Sequence, residues 1–220
     1  SPDDAFLLRQ SAVLHSAYAA AFVDEPLRVK LLANKAKRQA VRATCLSLKN
    51  ACRLEKMSFQ ELNIWLESQK KASVPMLFTL ASSWIGWIQA NSDSYDAIAD
   101  LSKVKSVMQK VVMLDPGYEN GQPYIYLGGM ETLLPPGLGG KPDKGREYFE
   151  RAITISEGRN LMSKVMYAEM YARLVFDQEL HDRLLRETLE SKVKAPGLTL
   201  MNVVAKKQAN QLLISGKDYF

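Results

Sequence analysis

Apolar residues recur at helical spacing along most of the chain, and polar residues between them mark where helices begin. Residues 5–22 form an alanine-rich segment with few charges, which predicts a helix buried on most of its surface. Asp24, Glu25 and Pro26 are typical of a helix start, because acidic residues suit the helix dipole and proline fits the first turn. We expect this second helix to be long and to bury Leu31, Leu32, Ala36, Ala40, Ala43, Leu46 and Leu48.

The segment 72–92 contains no charged residue and is long enough to span a bilayer. Its hydrophobicity is diluted by Pro75 and by several polar side chains, and a helix buried between neighbouring helices has the same pattern. We therefore predict a buried helix here. A capping box at Ser58 and Glu61 predicts a short helix just before it.

The stretch from Pro123 to Ile155 has the pattern of two short helices folded back on each other. Its first half contains Y-x2-L-G and its second half contains G-x3-F-x2-A, which resembles the tetratricopeptide pattern with five extra residues between the halves. Small residues at a helix crossing let two backbones approach closely. Aromatic residues fill the angle beside the crossing. We assign the packing of the repeats to Gly86, Gly128 and Ala152 as small residues and to Phe149 as the aromatic one.

The same pattern recurs on either side of this hairpin. Ile85-Gly86 precedes Leu127-Gly128 by 42 residues, and the helix predicted for 95–114 closes that first hairpin. A third hairpin begins with Lys164, Tyr167, Ala168 and Tyr171. Its second helix is predicted over 177–191, with His181 in solvent. The final helix is expected over 198–215, where Gly216 ends it and where terminal helices of such arrays cap the core.

These elements predict an all-α fold of stacked antiparallel helix hairpins, built from degenerate tetratricopeptide-like repeats. We expect a single domain over 1–220. Within it, 1–71 forms N-terminal helices, 72–191 forms three hairpins, and 192–220 forms the capping helix and tail.

Basic residues are concentrated in one part of the chain. The span 28–56 has nine basic residues and one acid, in a protein whose formal net charge is +5. One interpretation is a patch for an anionic partner, such as nucleic acid, lipid headgroups or an acidic protein. The other is the solvated face of a helix, which is favoured because no aromatic residues alternate with the charges.

The two cysteines, Cys45 and Cys52, are predicted to lie on one helix. Seven residues at 1.5 Å each would separate their backbones by about 10 Å, too far for a disulfide. No third cysteine or nearby histidine accompanies them, so we expect neither a metal site nor a cofactor. The usual catalytic motifs are also missing, and we assign no catalytic residue.

Stacked hairpins create a groove lined by side chains of their first helices. Aromatic and methionine side chains there could anchor a ligand or could be core residues. The groove candidates are Trp84, Trp87, Tyr124, Tyr126, Met130, Met166, Tyr167 and Met170. The proline- and glycine-rich turn between the helices is a candidate binding rim. Its residues are Pro135, Pro136, Gly137, Gly139, Gly140 and Lys141.

Several of these motifs together resemble the T-component of tripartite ATP-independent periplasmic (TRAP) transporters. The matching parts are Ala17-Tyr18 with Ala20-Ala21-Phe22, Asp115-Pro116, the Tyr124-x2-Leu127-Gly128 run, the turn ending Gly139-Gly140, Phe149-x2-Ala152, and Ala205-Lys206-Lys207-Ala209 with Leu212-Leu213 in the last helix. The resemblance covers most of the chain, from about residue 5 to 214.

This resemblance implies a non-enzymatic accessory subunit in the periplasm, with an export signal or a lipid-bearing cysteine upstream of Ser1. The implied partners are the solute-binding subunit of the transporter, further copies of the same chain, and a small apolar or organic-acid ligand in a groove or pore. Contact with the membrane is expected only through the lipid anchor, and none is expected with nucleic acid. The alternative is a generic tetratricopeptide scaffold for another bacterial envelope assembly.

Overall fold

The structure, a computed structural model, describes residues 3–133, 136–138 and 140–220. All secondary structure in these residues is helical, so the predicted all-α class is confirmed. The chain divides into two compact units, Ser1–Asp115 and Pro116–Phe220, which are described separately. The single domain and the stacking of its hairpins as repeats stay predictions.

The described residues of unit 1 contain six α-helices and two short 3-10 segments, where the hydrophobic pattern predicts five helices. The α-helices are α1 (Ala5–Phe22), α2 (Pro26–Ser47), α3 (Phe59–Glu67), α4 (Val74–Ala90), α5 (Tyr95–Ala99) and α6 (Leu101–Leu114), and the 3-10 segments are Ala51–Lys56 and Lys71–Ser73. The predicted bounds of α1 and the capping box of α3 are confirmed. The helix predicted for 95–114 is interrupted at Asp100, whose carboxylate accepts a hydrogen bond from Trp84 Nε1 at 3.0 Å.

Helix α4 forms the centre of unit 1. It packs against α1, α2 and α6 and buries most of its large side chains, as predicted for the uncharged segment. In the described part of the chain, no helix combines the length and the apolar character needed to cross a membrane.

Helices α1 and α2 pack along each other, and their buried residues are mostly alanines. Ala12 and Ala19 of α1 and Ala33, Ala36, Ala40 and Ala43 of α2 are buried, and α2 also packs against α4. The large apolar side chains of α1 point outward instead, so the prediction that this helix is buried on most of its surface is wrong. Leu31 and Leu46 of α2, predicted to be buried, are exposed as well.

Cys45 and Cys52 form a disulfide, contrary to the prediction. Helix α2 ends at Ser47, and Asn50 has a left-handed backbone (φ 61°) that turns the chain into the following 3-10 segment. This reversal brings the two Cα atoms within 4.3 Å of each other. The prediction failed because it extended one straight helix through the turn.

The described residues of unit 2 form five α-helices, a π-helical segment and short turns. The α-helices are α7 (Gln122–Thr132), α8 (Pro142–Ile155), α9 (Leu161–Met166), α10 (Gln178–Glu190) and α11 (Thr199–Tyr219); the π-helical segment is Tyr167–Ala172, and a short 3-10 turn spans Pro136–Leu138. Helix α11 continues past Gly216, which was predicted to end it. Gly216 lies against the ring of His181, and that histidine is fully buried rather than solvated.

Helices α7 and α8 form the predicted hairpin, and glycine permits its close packing. A Cβ atom at Gly128 would lie 2.8 Å from the ring of Phe149, and one at Gly145 would lie 2.5 Å from Thr132. Beside them, Gly121 (φ +77°) lies against the backbone of Ala152. In unit 1 a Cβ at Gly86 would meet no atom within 4 Å, so close packing does not explain that glycine.

Candidate functional site

A groove of unit 2 lies between α8, α10 and the chain that connects them through α9 and the π-helical segment. Its volume is about 510 Å³. The apolar residues Ile153, Leu180 and Leu184 line the groove, together with charged side chains of α8 and α10. We call this the α8–α10 groove and consider it the candidate site.

One wall is organised around Glu150 of α8. The Glu150 carboxylate accepts hydrogen bonds from Arg146 Nε at 2.8 Å and from the Tyr167 hydroxyl at 3.0 Å, both to the same oxygen. The hydrogen bond to Glu150 raises the pKa of Arg146, which keeps the guanidinium charged. Burial, reinforced by the Glu150 carboxylate, raises the pKa of Tyr167 and keeps its hydroxyl protonated as a donor.

The facing wall is organised around Glu187 of α10. Lys164 Nζ contacts one carboxylate oxygen at 2.7 Å, and Arg183 Nη1 lies 3.6 Å from the other. The lysine side chain is largely buried, whereas the arginine side chain is mostly exposed. Each wall therefore presents one exposed guanidinium, Arg146 or Arg183, that still has free donors for a ligand.

The π-helical segment places two tyrosines in the groove. Tyr167 stacks on Phe149 with ring centroids 5.5 Å apart, and it contacts Tyr171 at 5.3 Å. The wider turn is seen in the backbone, where Arg173 N donates to Ala168 O at 3.3 Å, five residues earlier. Such π-helical turns are rare and occur frequently at functional sites.

Of the eight groove candidates proposed from sequence, only Tyr167 lines the α8–α10 groove. Tyr124 and Met130 are buried, and Tyr126, Met166 and Met170 are half-buried away from it. Burial raises the pKa of Tyr126.

The two tryptophans lie in unit 1. Trp84 is fully buried, so it serves the core. Trp87 is half-buried, donates to Asn34 Oδ1 at 2.7 Å, and has Lys37 Nζ 3.6 Å from its ring centroid. This cation–π contact stabilises the packing of α2 on α4.

The predicted rim turn is described only in part, because Pro135 and Gly139 lie outside the described residues. Pro136, Gly137 and Lys141 are exposed, and Gly140 is half-buried. Lys141 N donates to Glu131 O at 2.9 Å, which ties the end of the turn to α7. None of the described turn residues lines the α8–α10 groove.

Sequence reasoning missed the charged residues of the groove. Arg146 and Glu150 on α8, and Arg183 and Glu187 on α10, are each four residues apart, and this spacing places each pair on one helix face. That signal was available from the sequence. The partnership of Tyr167 with Glu150 was not, because it depends on the π-helical turn.

The comparison with protein families gives a match over the whole chain. The model of the TRAP transporter T-component family matches residues 1–220. Among curated proteins, none matches the chain.

Proposed function

Because the chain belongs to the TRAP transporter T-component family, we propose that it is a non-enzymatic accessory subunit that binds the solute-binding subunit of the transporter in the periplasm. The whole-chain family match is the observation that carries this proposal. The role as an accessory component follows from the family itself, and the proposal adds the partner, the compartment and the surface.

The disulfide supports the periplasmic location. Cys45 and Cys52 are the only cysteines of the chain, and they are paired. Disulfides persist in the bacterial periplasm, whereas the cytosol keeps thiols reduced. We also propose a lipid anchor on the precursor and self-association of the subunit. Mass spectrometry of the membrane-extracted protein tests the anchor, and light scattering tests the oligomer.

We assign partner binding to the α8–α10 groove. Arginine is among the residues enriched at the energetic centres of protein interfaces. This groove exposes the side chains of Arg146 and Arg183 beside the buried Tyr167 and Tyr171. Charged side chains on both walls suit a polypeptide surface of mixed charge better than an apolar small molecule. A small organic ligand, if bound, is expected to present polar groups to these walls.

The test is calorimetric titration of the solute-binding subunit into the chain and into variants. We expect the double variant Arg146→Ala/Arg183→Ala to weaken binding by about tenfold or more, because arginine hot spots are each worth roughly 1–2 kcal/mol or more. Arg151→Ala is the matched control, since Arg151 is an exposed arginine of the same helix α8 that does not line the groove.

The outcomes separate the parts of the proposal. Absence of a complex with the solute-binding subunit contradicts the proposed partner and favours the alternative of a scaffold for another envelope assembly. A complex that the double variant leaves at full affinity retains the partner and rejects the groove as its surface.

A further inference from the structure

The outer face of α1 is apolar and uncovered. Phe6, Leu14 and Phe22 are 61%, 68% and 61% exposed, and Leu7, Val13 and Tyr18 are exposed too. Between Gln10 and Val23 this helix has no charged residue. A surface helix normally carries charged side chains on its outer face, so a contiguous apolar face indicates an interaction site.

Helix α2 extends this face with a stripe that is apolar at one end and basic along the rest. Leu27 and Leu31, 71% and 69% exposed, are followed at helical spacing by Lys35, Arg38 and Arg42. The two helices are joined on the outside by Arg28, whose guanidinium donates to the Tyr18 hydroxyl at 3.2 Å and lies 5.7 Å from that ring centroid.

Acidic residues of α1, α2 and their connection lie at the two ends of this surface, and Asp93, which follows α4, pairs with Lys30 of α2. Asp3 and Asp4 precede α1, where Asp3 pairs with Arg42 and Asp4 caps the helix through Leu7 N. Asp24 and Glu25 lie at the opposite end, in the connection between the helices. From Pro26 to Leu54 the sequence contains no acidic residue. The middle of the surface therefore combines exposed apolar groups with the positive charges of Lys35 and Arg38, while Arg42 pairs with Asp3 at its end.

This combination limits what can cover the surface. A two-fold pairing of two copies through it would bring two basic stripes into one interface, where like charges repel. Exposed leucine and phenylalanine beside lysine and arginine are instead typical of helices that lie in the interface of a membrane containing anionic lipids. We propose that the outer surface of α1 and α2 docks on anionic lipid headgroups, with the apolar side chains of α1 entering the interfacial region.

This docking adds to the expected lipid anchor and is independent of the α8–α10 groove. It orients unit 1 on the bilayer even when the chain carries no covalent lipid. The apolar face supplies affinity for the membrane interface, and the basic stripe supplies selectivity for anionic headgroups.

Vesicle flotation of the unlipidated chain tests the proposal. The chain is expected to bind vesicles of phosphatidylcholine mixed with phosphatidylglycerol, to bind pure phosphatidylcholine weakly, and to dissociate as salt screens the charges. Two double variants should each lower the partition coefficient by about tenfold or more. Lys35→Glu/Arg38→Glu removes basic residues that each contribute roughly a factor of five near an anionic surface. Leu14→Ser/Phe22→Ser removes apolar area that would be buried in the interface.

Matched controls come from α11 in unit 2. Leu200→Ser/Ile214→Ser removes two similarly exposed apolar side chains, and Lys207→Glu/Lys217→Glu reverses two exposed charges. Both should bind as the unchanged chain does. Circular dichroism checks the fold of each variant. The salt dependence of binding is measured on the unchanged chain, so that part of the test does not depend on whether a variant folds.

Three results would overturn the proposal. The first is no binding to the anionic vesicles, and the second is binding that the α1 and α2 variants and the α11 controls affect equally. The third is self-association, measured by light scattering, that the Leu14→Ser/Phe22→Ser variant abolishes, since a second copy of the chain would then cover the surface.

Discussion

The aromatic ring of Phe149 lies directly over the backbone of Gly128, so that a Cβ atom on that glycine would be 2.8 Å from two ring carbons and 2.9 Å from a third. Phe149 is fully buried, and it also stacks on the ring of Tyr167. The Phe149 ring therefore contacts both Gly128 of α7 and Tyr167, which lines the α8–α10 groove. Any side chain at position 128 must displace that ring.

The first prediction concerns this contact. We expect Gly128→Leu to lower the free energy of unfolding by about 1–3 kcal/mol or more, because overpacking forces Phe149 out of its position. Chemical denaturation followed by circular dichroism measures the change. The matched control is Gly86→Ala in α4, where a Cβ meets nothing within 4 Å.

The control should change stability in the opposite direction. Alanine is favoured over glycine in a helix interior by roughly 0.5–1 kcal/mol, so Gly86→Ala should stabilise the chain. Unchanged stability in Gly128→Leu would show that the hairpin can open at this crossing without cost, contrary to the packing described here.

The second prediction concerns the disulfide. Replacing both cysteines, Cys45→Ser/Cys52→Ser, should lower the free energy of unfolding by about 2 kcal/mol, because the short loop loses its covalent closure in the unfolded chain. Reduction of the unchanged chain should lower stability by a similar amount and should leave the variant unaffected. Free thiols detected by mass spectrometry in the periplasmic protein would contradict the pairing.

The elements of the fold could be predicted from sequence where the hydrophobic pattern is strong. The bounds of α1, the capping box of α3 and the burial of α4 all follow from periodicity and capping residues. The hairpin of α7 and α8 followed from its small residues. These features are local, so the sequence determines them without knowledge of distant contacts.

Other features depend on a single backbone change that periodicity does not register. The disulfide requires the left-handed turn at Asn50, and the placement of Tyr167 and Tyr171 requires one π-helical turn. The exposure of α1 was missed for a different reason. An apolar helix face shows that something covers it, but whether the cover is the rest of the chain or a partner cannot be read from the pattern.

The third prediction uses Glu169 of the π-helical segment. Burial raises the pKa of this carboxyl above its ordinary value of 4.5, although Arg173 and a hydrogen bond from Gln208 at 2.8 Å oppose the shift. The folded state therefore binds the proton more tightly than the unfolded state. Its contribution to stability is complete below pH 4.5 and is lost as the pH rises through the folded pKa.

Replacing this residue by glutamine should remove that loss. We expect Glu169→Gln to unfold at a higher temperature than the unchanged chain at pH 7, with the difference shrinking as the pH falls toward 4.5. Glutamine can still accept the bond from Gln208. Glu147→Gln, at an exposed position of α8, removes the same charge and reports the effect of net charge alone. A difference that is constant across this pH range would contradict the proposed linkage.

The last prediction concerns the attachment of α11 to the rest of unit 2. Asn202 is fully buried and uses its whole side-chain amide. Its oxygen accepts from Leu161 N at 3.0 Å, and its nitrogen donates to Arg159 O at 2.9 Å and to Val193 O at 3.1 Å. One side chain thus satisfies three backbone groups from the start of α9 and from the connection before α11.

We expect Asn202→Ala to lower the free energy of unfolding by about 2–4 kcal/mol, because buried backbone groups left without partners each cost roughly 1–3 kcal/mol. Asn210→Ala is the matched control, since Asn210 is exposed on the same helix and alanine suits a helix interior. The control should be as stable as the unchanged chain or slightly more so. If Asn202→Ala were equally stable, α11 would be held by its apolar contacts alone, and this amide would have no role in closing unit 2.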